Sequence, residues 1–164
     1  MYQGDGKICG LVGAAGVLTG TEEKILTNLL IVDSLRGTDS TGVAVINRVD
    51  DVKVAKAVGN PFELVESRAY TNALVGANKV IIGHNRYGTQ GKINRRNAHP
   101  FEFDMLVGAH NGTLRSKHKL DDSRNFDVDS ENLYHHIDKL GLYSAMEHLK
   151  VLGAWFGGIN WKVH

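Results

Sequence analysis

The sequence is short of several residue types and patterns, and each shortage excludes a class of protein. One cysteine in 164 residues cannot form an internal disulfide or a cysteine-rich zinc site. Lysine plus arginine number 19 and aspartate plus glutamate 18, a balance that offers no electrostatic footprint for nucleic acid or an anionic membrane. No apolar run approaches the roughly 20 residues of a membrane span. Residues 1–8 lack the apolar segment of a secretory signal, so we expect one cytoplasmic domain.

The residues that are present predict a folded chain with both helices and strands. The apolar fraction of 42% is ordinary for a globular core. Apolar residues recur at helical spacing after Thr19 and Glu22, which have the spacing of a capping box. Gly37 suits the C′ position that would end this helix. The apolar segments Val43–Asn47 and Val52–Val58 flank a turn-forming stretch and predict a β-hairpin.

Further elements follow along the chain. The pattern predicts a helix from Pro61 to Ala73 and short buried strands at Val80–Ile82 and Met105–Ala109. It also predicts helices over Ser130–Gly141, with Asp129 and Ser130 as its cap, and over Tyr143–Leu149, and one more strand beginning after Val151. Antiparallel strands mixed with helices predict an α+β domain.

The single cysteine, Cys9, is the first candidate for chemistry. It stands in the apolar segment Lys7–Val12, which predicts a strand, and is followed by Gly10, whose missing side chain would leave room for a substrate. This placement suits a nucleophilic thiol. The alternative is a buried structural cysteine, because free cysteine is among the most buried residue types. The position alone does not decide between the two.

Two further segments carry groups that suit a reaction site. Arg86 follows a predicted buried strand, where its planar fork would bind a carboxylate; the alternative is a surface salt bridge. Asn111 and Gly112 offer a side-chain amide beside an unhindered backbone N–H, a pair that could stabilise an oxyanion. Asn-Gly is also the strongest short-range signal for a hairpin turn, and that alternative stays open.

Taken together and in order, these segments resemble the class II (N-terminal nucleophile) glutamine amidotransferase domains. Similar domains are the glutaminase parts of glucosamine-6-phosphate synthase and glutamine phosphoribosylpyrophosphate amidotransferase. The matching segments are Cys9–Gly13, Arg36–Gly42, Gly83–Gly91, Asn97–Pro100, His110–Leu114 and Asp129–Glu131. The resemblance spans Cys9 to Leu149. It implies an N-terminal-nucleophile hydrolase fold, a four-layer αββα sandwich.

The resemblance also implies roles for individual residues. Cys9 would be the nucleophile and its freed α-amine the general base, while Asn111 and Gly112 would hold the oxyanion. Arg86 would bind the α-carboxylate of glutamine and Asp129 its α-ammonium group. A further substrate contact and four supporting positions are also implied, namely Thr89 for the contact and Arg36, Asp39, Tyr87 and His99 for support.

Two features depart most from the family pattern, and a milder departure is Gln90 and Tyr87, where some members have histidine and tryptophan. Cys9 is not residue 2, so freeing its α-amine requires removal of residues 1–8 as a short propeptide. Residues 9–164 would then form the glutaminase domain. Family domains usually run past 200 residues, so we expect this one to be truncated at its C-terminus and to lack its last strands.

The function that we expect is hydrolysis of the glutamine side-chain amide to glutamate and ammonia through a thioester on Cys9. The ammonia would pass to a separate synthase domain or protein. No cofactor is implied, and the histidines lack the spacing of a metal site. Two alternatives remain: an unprocessed or truncated glutamine-binding module without activity, and another N-terminal-nucleophile amidohydrolase. Arg86 with Asp129 argues against the second, because a generic amide has no zwitterion to bind.

Overall fold

A four-stranded antiparallel sheet forms the centre of the structure. The computed structural model describes residues 8–114, 117–120 and 122–151. The strands are β1 (Gly10–Ala15), β2 (Ser40–Asn47), β3 (Val52–Val58) and β4 (Asn78–Arg86). Their order in the sheet is β1–β4–β2–β3, and every neighbouring pair is antiparallel. Because Gly10 pairs with Asn85 and Ser40 with Arg86, the starts of β1 and β2 and the end of β4 meet at one end of the sheet.

Three helices cover one face of this sheet: α1 (Gly20–Val32), α2 (Pro61–Val65) and α3 (Arg68–Leu74). A short 3-10 turn, Asp33–Leu35, continues α1. The apolar side chains of the helices and of the facing strands form a first core. Its buried members include Leu26, Leu30, Val43, Val45, Ala55, Leu64, Tyr70, Ala73 and Ile81. Burial of this apolar surface is the main force that holds the helices on the sheet.

A second, smaller unit follows β4 along the chain. Strands β5 (Phe101–Glu102) and β6 (Val107–Gly108) pair with each other, and helices α4 (Asp129–Leu140) and α5 (Leu142–Val151) follow. Short 3-10 turns lie between β6 and α4, at Lys117–Lys119 and Ser123–Asn125. The second core lies among these elements, and its buried members include Phe101, Leu106, Leu114, Leu133, Tyr134, Ile137 and Leu149.

The two units meet through the faces of their sheets. The ring of His84 on β4 lies 4.1 Å from that of His99, which in turn lies 4.6 Å from the ring of Phe101 on β5. The order of layers is therefore helices, four-stranded sheet, two-stranded sheet, helices. This is the α+β class that the sequence pattern predicted, in the four-layer arrangement that the family resemblance implied. No helix within the described ranges is long and apolar enough to cross a membrane.

Several predicted elements are confirmed. Strands β2 and β3 form the predicted hairpin, and the Thr19–Glu22 capping box begins α1. The stretch from Pro61 to Ala73 is two helices rather than one, because the Ser67 hydroxyl accepts a hydrogen bond from the Tyr70 N–H and starts a new helix.

Other predicted boundaries were wrong. Helix α4 begins at Asp129 with Val128 as its N-cap, because the Asp129 carboxylate accepts the N–H of Leu114 instead of capping the helix. The predicted strand at Met105–Ala109 is reduced to the two residues of β6. The strand predicted after Val151 lies outside the described residues.

Candidate active site

Cys9 lies immediately before β1, at the end of the sheet where β4 leaves for its loop. Its thiol is partly buried against the backbone of Tyr87: the Tyr87 N–H donates to Sγ at 3.3 Å, and Sγ lies 3.5 Å from the Tyr87 carbonyl oxygen. Burial raises the pKa of the Cys9 thiol, although the Tyr87 backbone and the Arg86 charge act in the opposite direction. The thiol is therefore protonated near neutral pH and needs a base to become a nucleophile.

The carbonyl oxygen of Cys9 accepts two side-chain hydrogen bonds. Nδ2 of Asn111 donates to it at 2.7 Å and Nε of Arg36 at 3.1 Å. Because a carbonyl only accepts, the NH2 side of the Asn111 amide must face Cys9. A primary amide has two N–H donors, so one of them remains for another acceptor beside the thiol.

The guanidinium group of Arg86 is buried and holds the loop that follows β4. Its two terminal nitrogens donate to the carbonyl oxygens of Gln90 and, at 3.3 Å, of Lys92. The start of the same loop is bound to Asp39, whose carboxylate accepts the Gly88 N–H at 2.7 Å. Asp39 also donates its own N–H to the Arg86 carbonyl at 3.0 Å, and so joins the start of β2 to the end of β4.

Gly37 allows the loop before β2 to lie directly against the end of β4. A β-carbon at this position would lie 2.7 Å from the Arg86 carbonyl carbon and from the Tyr87 nitrogen, closer than backbone atoms allow. The glycine is not the C′ residue of α1 that the sequence predicted, because the helical cap is Asp33. Close backbone packing beside Cys9 explains why this position has no side chain.

Asp129, in the first turn of α4, is buried, and each of its carboxylate oxygens accepts a backbone hydrogen bond. Its Oδ2 accepts the Leu114 N–H at 2.5 Å, and its Oδ1 accepts the Ser130 N–H at 2.9 Å. The Ser130 hydroxyl lies 2.9 Å from Nδ1 of His110. The carboxylate is thus held beside the Asn111–Gly112 segment by neighbouring backbone groups.

Two buried histidines lie behind these groups. Burial lowers the pKa of His84 to about 3 and holds the pKa of His99 well below its ordinary value, with the neighbouring His84, His110 and Arg86 as secondary causes for His99. Both rings are therefore neutral at physiological pH. The two uncharged rings pack against each other between the sheets and do not contribute a positive charge to the site.

One pocket joins most of the residues that the sequence indicated. Its lining includes Cys9, Arg86, Tyr87, Thr89, His99, Gly112 and Asp129. Arg36 and Asn111 instead reach the Cys9 carbonyl, and Asp39 reaches the Gly88 backbone. The open space between these groups is only about 10 Å³, which is room for roughly one water molecule.

Comparisons with known proteins bear on this arrangement. No protein family model matches the chain. A glutamine–fructose-6-phosphate aminotransferase (isomerizing) from Francisella tularensis is 29% identical over 164 aligned residues, 92% of this chain and 26% of the relative. The enzyme of the same name from Streptococcus pneumoniae is 36% identical over 66% of this chain and 17% of its own length. An amidophosphoribosyltransferase from Escherichia coli is 34% identical over 69% of this chain and 22% of its own length.

Solved structures show the same fold. One, described as the allosteric regulatory enzyme of purine biosynthesis, has a TM-score of 0.65 at 20% identity and is matched over 94% of this chain. Another, a glutamine phosphoribosylpyrophosphate amidotransferase from B. subtilis with ADP and GMP, has a TM-score of 0.62 at 22% identity. The chain belongs to the class II glutamine amidotransferases. It spans 17% to 26% of the length of these curated relatives and 34% to 35% of these two structures.

The amidotransferase domain has pocket residues to which the sequence assigned no role. His110, Ser130, Gln90 and Val128 also line the space around Cys9. The signal was present for three of them, because His110, Ser130 and Gln90 lie within or beside the matching segments. Only the folded chain shows that Ser130 links Asp129 to His110. Within the described part of the domain, no group of three or more histidine, cysteine, aspartate or glutamate side chains is arranged to hold a metal ion.

Proposed function

We propose that this domain hydrolyses the side-chain amide of glutamine through a γ-glutamyl thioester on Cys9 after residues 1–8 are removed. The observation that carries the proposal is the meeting of Cys9, Arg86, Gly112 and Asp129 around one pocket. Sequence similarity to two kinds of enzyme, an aminotransferase named for glutamine and an amidophosphoribosyltransferase, supports it.

The first step needs a base, because burial raises the pKa of the Cys9 thiol. The freed α-amine of Cys9 fits this role, since the ordinary pKa of an α-amine is about 7.7–8.0. It accepts the thiol proton while Sγ attacks the amide carbon of glutamine. As an amide within the intact chain, the same nitrogen has no basic lone pair, which is why removal of residues 1–8 belongs to the proposal.

The tetrahedral intermediate places a negative charge on the former amide oxygen. The backbone N–H of Gly112 and the second N–H of Asn111 are the donors proposed for it. The bond between Asn111 and the Cys9 carbonyl keeps the amide turned with its NH2 group towards the nucleophile. The C–N bond then breaks, the α-ammonium group gives its proton to the leaving ammonia, and water hydrolyses the thioester to glutamate and free thiol.

Arg86 and Asp129 are the groups proposed to bind the two charges on the α-carbon of glutamine. A space of about 10 Å³ does not admit this amino acid, so the loop after β4 has to move for glutamine to enter. Arg86 donates to the Gln90 and Lys92 carbonyl oxygens in the free domain. Replacement of these two hydrogen bonds by bonds to the substrate carboxylate would release the loop and so drive that movement. The ammonia acceptor is proposed to be a separate synthase domain or protein.

The test is the intact mass of the purified protein before and after exposure to an electrophilic glutamine analogue. We expect a mass without residues 1–8 that gains one analogue, together with ammonia release from glutamine. Cys9→Ala should lose the label and reduce turnover by at least about 10³-fold, because the nucleophile is gone. Its glutamine binding, measured by calorimetry, should remain.

Two controls separate the proposal from its alternatives. Cys9→Ser keeps a hydroxyl in place of the thiol and should retain the folded state and glutamine binding with little turnover. An unprocessed chain that binds glutamine without being labelled would favour the non-catalytic binding module. Turnover in Cys9→Ala equal to that of the native protein would exclude the thioester route.

A further inference from the structure

A second recess lies between the edge strand β3 and the start of α4. It has a volume of about 510 Å³, which is within the usual range for small-molecule sites. Its lining shares no residue with the pocket around Cys9. The lining residues are Val54, Lys56, Arg95, Arg96, Phe101, Glu102, Phe103 and Glu131. Phe101 lines this recess and His99 lines the Cys9 pocket, and their rings meet edge to face between the two spaces.

The charged side chains of this recess act on one another through space but form no close ion pair with each other. Lys56, Arg95 and Arg96 bring three cations, and Glu102 and Glu131 bring two carboxylates. None of the ion pairs within 4.0 Å in the described residues includes any of these five groups. Oε2 of Glu131 is buried and accepts no hydrogen bond from a described residue. Charged groups that share a recess without pairing are suited to a ligand that carries both kinds of charge.

Lys56 is held at the wall of the recess by aromatic packing. Its Nζ lies 4.9 Å from the centre of the Phe101 ring, and its carbonyl oxygen accepts Nε of Arg95 at 2.8 Å. Burial lowers the pKa of Lys56 to about 8 and raises the pKa of Glu131. Desolvation is the largest cause of both shifts, while Lys56 and Glu131 act on each other in the opposite direction.

We propose that this recess binds a free α-amino acid with an aromatic or branched apolar side chain. The guanidinium groups of Arg95 and Arg96 offer donors for the carboxylate, and the carboxylate of Glu131 is the acceptor for the ammonium group. Val54, Phe101 and Phe103 supply the apolar wall for the side chain. A simple anion such as phosphate fits less well, because it brings no positive charge for Glu131 and meets two carboxylates.

The experiment measures calorimetric binding of three related compounds to the full chain. L-phenylalanine has all three features, 3-phenylpropionate lacks the ammonium group and 2-phenylethylamine lacks the carboxylate. We expect saturable binding of phenylalanine and binding of either analogue weaker by about tenfold or more. Absence of saturable phenylalanine binding at millimolar concentration, or equal binding of the three compounds, would overturn the proposal.

Matched variants assign the binding to this recess. Arg96→Gln and Glu131→Gln should each weaken phenylalanine binding by about tenfold, whereas the exposed controls Arg48→Gln and Glu66→Gln should not. Unchanged phenylalanine binding in Arg96→Gln also contradicts the proposal. Because Arg96 is exposed, this variant should fold and tests the proposal even if Glu131→Gln does not fold. The outcome is independent of glutamine turnover, because none of these residues lines the Cys9 pocket.

Discussion

Asp33 is a carboxylate in surroundings that do not favour a negative charge. It is the C-cap of α1, where the helix dipole is unfavourable to an anion. Its side chain packs against the α-carbon of Gly10, and its buried Oδ2 has no hydrogen-bond partner among the described residues. Its one ion pair, with Arg36, is long at 3.8 Å. Burial raises the pKa of Asp33, with the Arg36 charge acting against that shift.

Asp33→Asn should therefore stabilise the domain. A folded-state pKa above the unfolded value means that ionised Asp33 costs stability at every pH above the folded pKa, and that this cost falls as the pH is lowered. Removing the charge without changing the shape should raise Tm at neutral pH by about 2–4 °C. Thermal unfolding followed by circular dichroism is the measurement.

The control for this change is Asp104→Asn, because Asp104 is exposed and should leave Tm unchanged. A lower Tm in Asp33→Asn would mean that the ion pair with Arg36 outweighs the cost of burial. The prediction concerns stability alone, although Arg36 also reaches the Cys9 carbonyl.

At the scale of the elements, the two-residue strands β5 and β6 depend on packing rather than on their own length. The ring of Tyr134, from α4, lies directly on Gly108 of β6, where a β-carbon would overlap it. The Tyr134 hydroxyl donates to the Ala109 carbonyl at 2.7 Å. The helix and the strand are thus joined at one position by a ring contact and a hydrogen bond.

Gly108→Ala should destabilise the domain by about 1–3 kcal/mol, because the added methyl group displaces the Tyr134 ring. Gly20→Ala is the matched control: a β-carbon there meets no atom within 4 Å, and Gly20 is the first residue of α1. This control should stabilise the domain by about 0.4–1 kcal/mol, because alanine lowers the conformational entropy of the unfolded chain. Chemical denaturation gives both values, and equal stability of the two variants would contradict the contact.

Local sequence patterns correctly predicted those elements that depend on interactions between neighbouring residues. The β2–β3 hairpin and the capped start of α1 depend on neighbouring residues, and both are confirmed. The packing of the Tyr134 ring on Gly108 of β6 joins the strand to a distant helix, and a local sequence pattern carries no information about such a contact. Serine is a common N-cap, so the sequence contained a signal for the start of α3 at Ser67, but the spacing of apolar residues alone favoured one continuous helix.

Most of the residues that line the pocket could be predicted from the sequence, but the hydrogen bonds between them could not. The family resemblance carried by the ordered segments indicated most of the residues that line the pocket around Cys9. The bonds between segments could not be predicted, since they join positions far apart in the chain. Asn111 reaches the Cys9 carbonyl over 102 positions, and Asp129 accepts the N–H of Leu114. The position of Asp33 against Gly10 was also missed, because Asp33 lies within an otherwise apolar helical pattern.

At the scale of the whole molecule, the two apolar cores lie outside the sheets and the polar groups lie between them. His84, His99 and His110 are buried in this middle layer, and burial lowers the pKa of each. The layer contains neutral rings that pack like apolar groups as long as they stay unprotonated. Its stability should therefore depend on pH.

His84 and His99 together should cost the domain about 3 kcal/mol of unfolding free energy between about pH 7.5 and 5.5. A histidine whose folded pKa is below its unfolded value of 6.5 destabilises the fold as the pH falls through that value, because only the unfolded chain takes up the proton. Over this interval His84 and His99 each contribute about 1.4 kcal/mol. His99→Gln should remove about half of the loss, and His118→Gln, an exposed control, should remove none. Urea denaturation at the two pH values measures the difference, and a native stability that does not change would show that these rings are solvated or already charged in the folded domain.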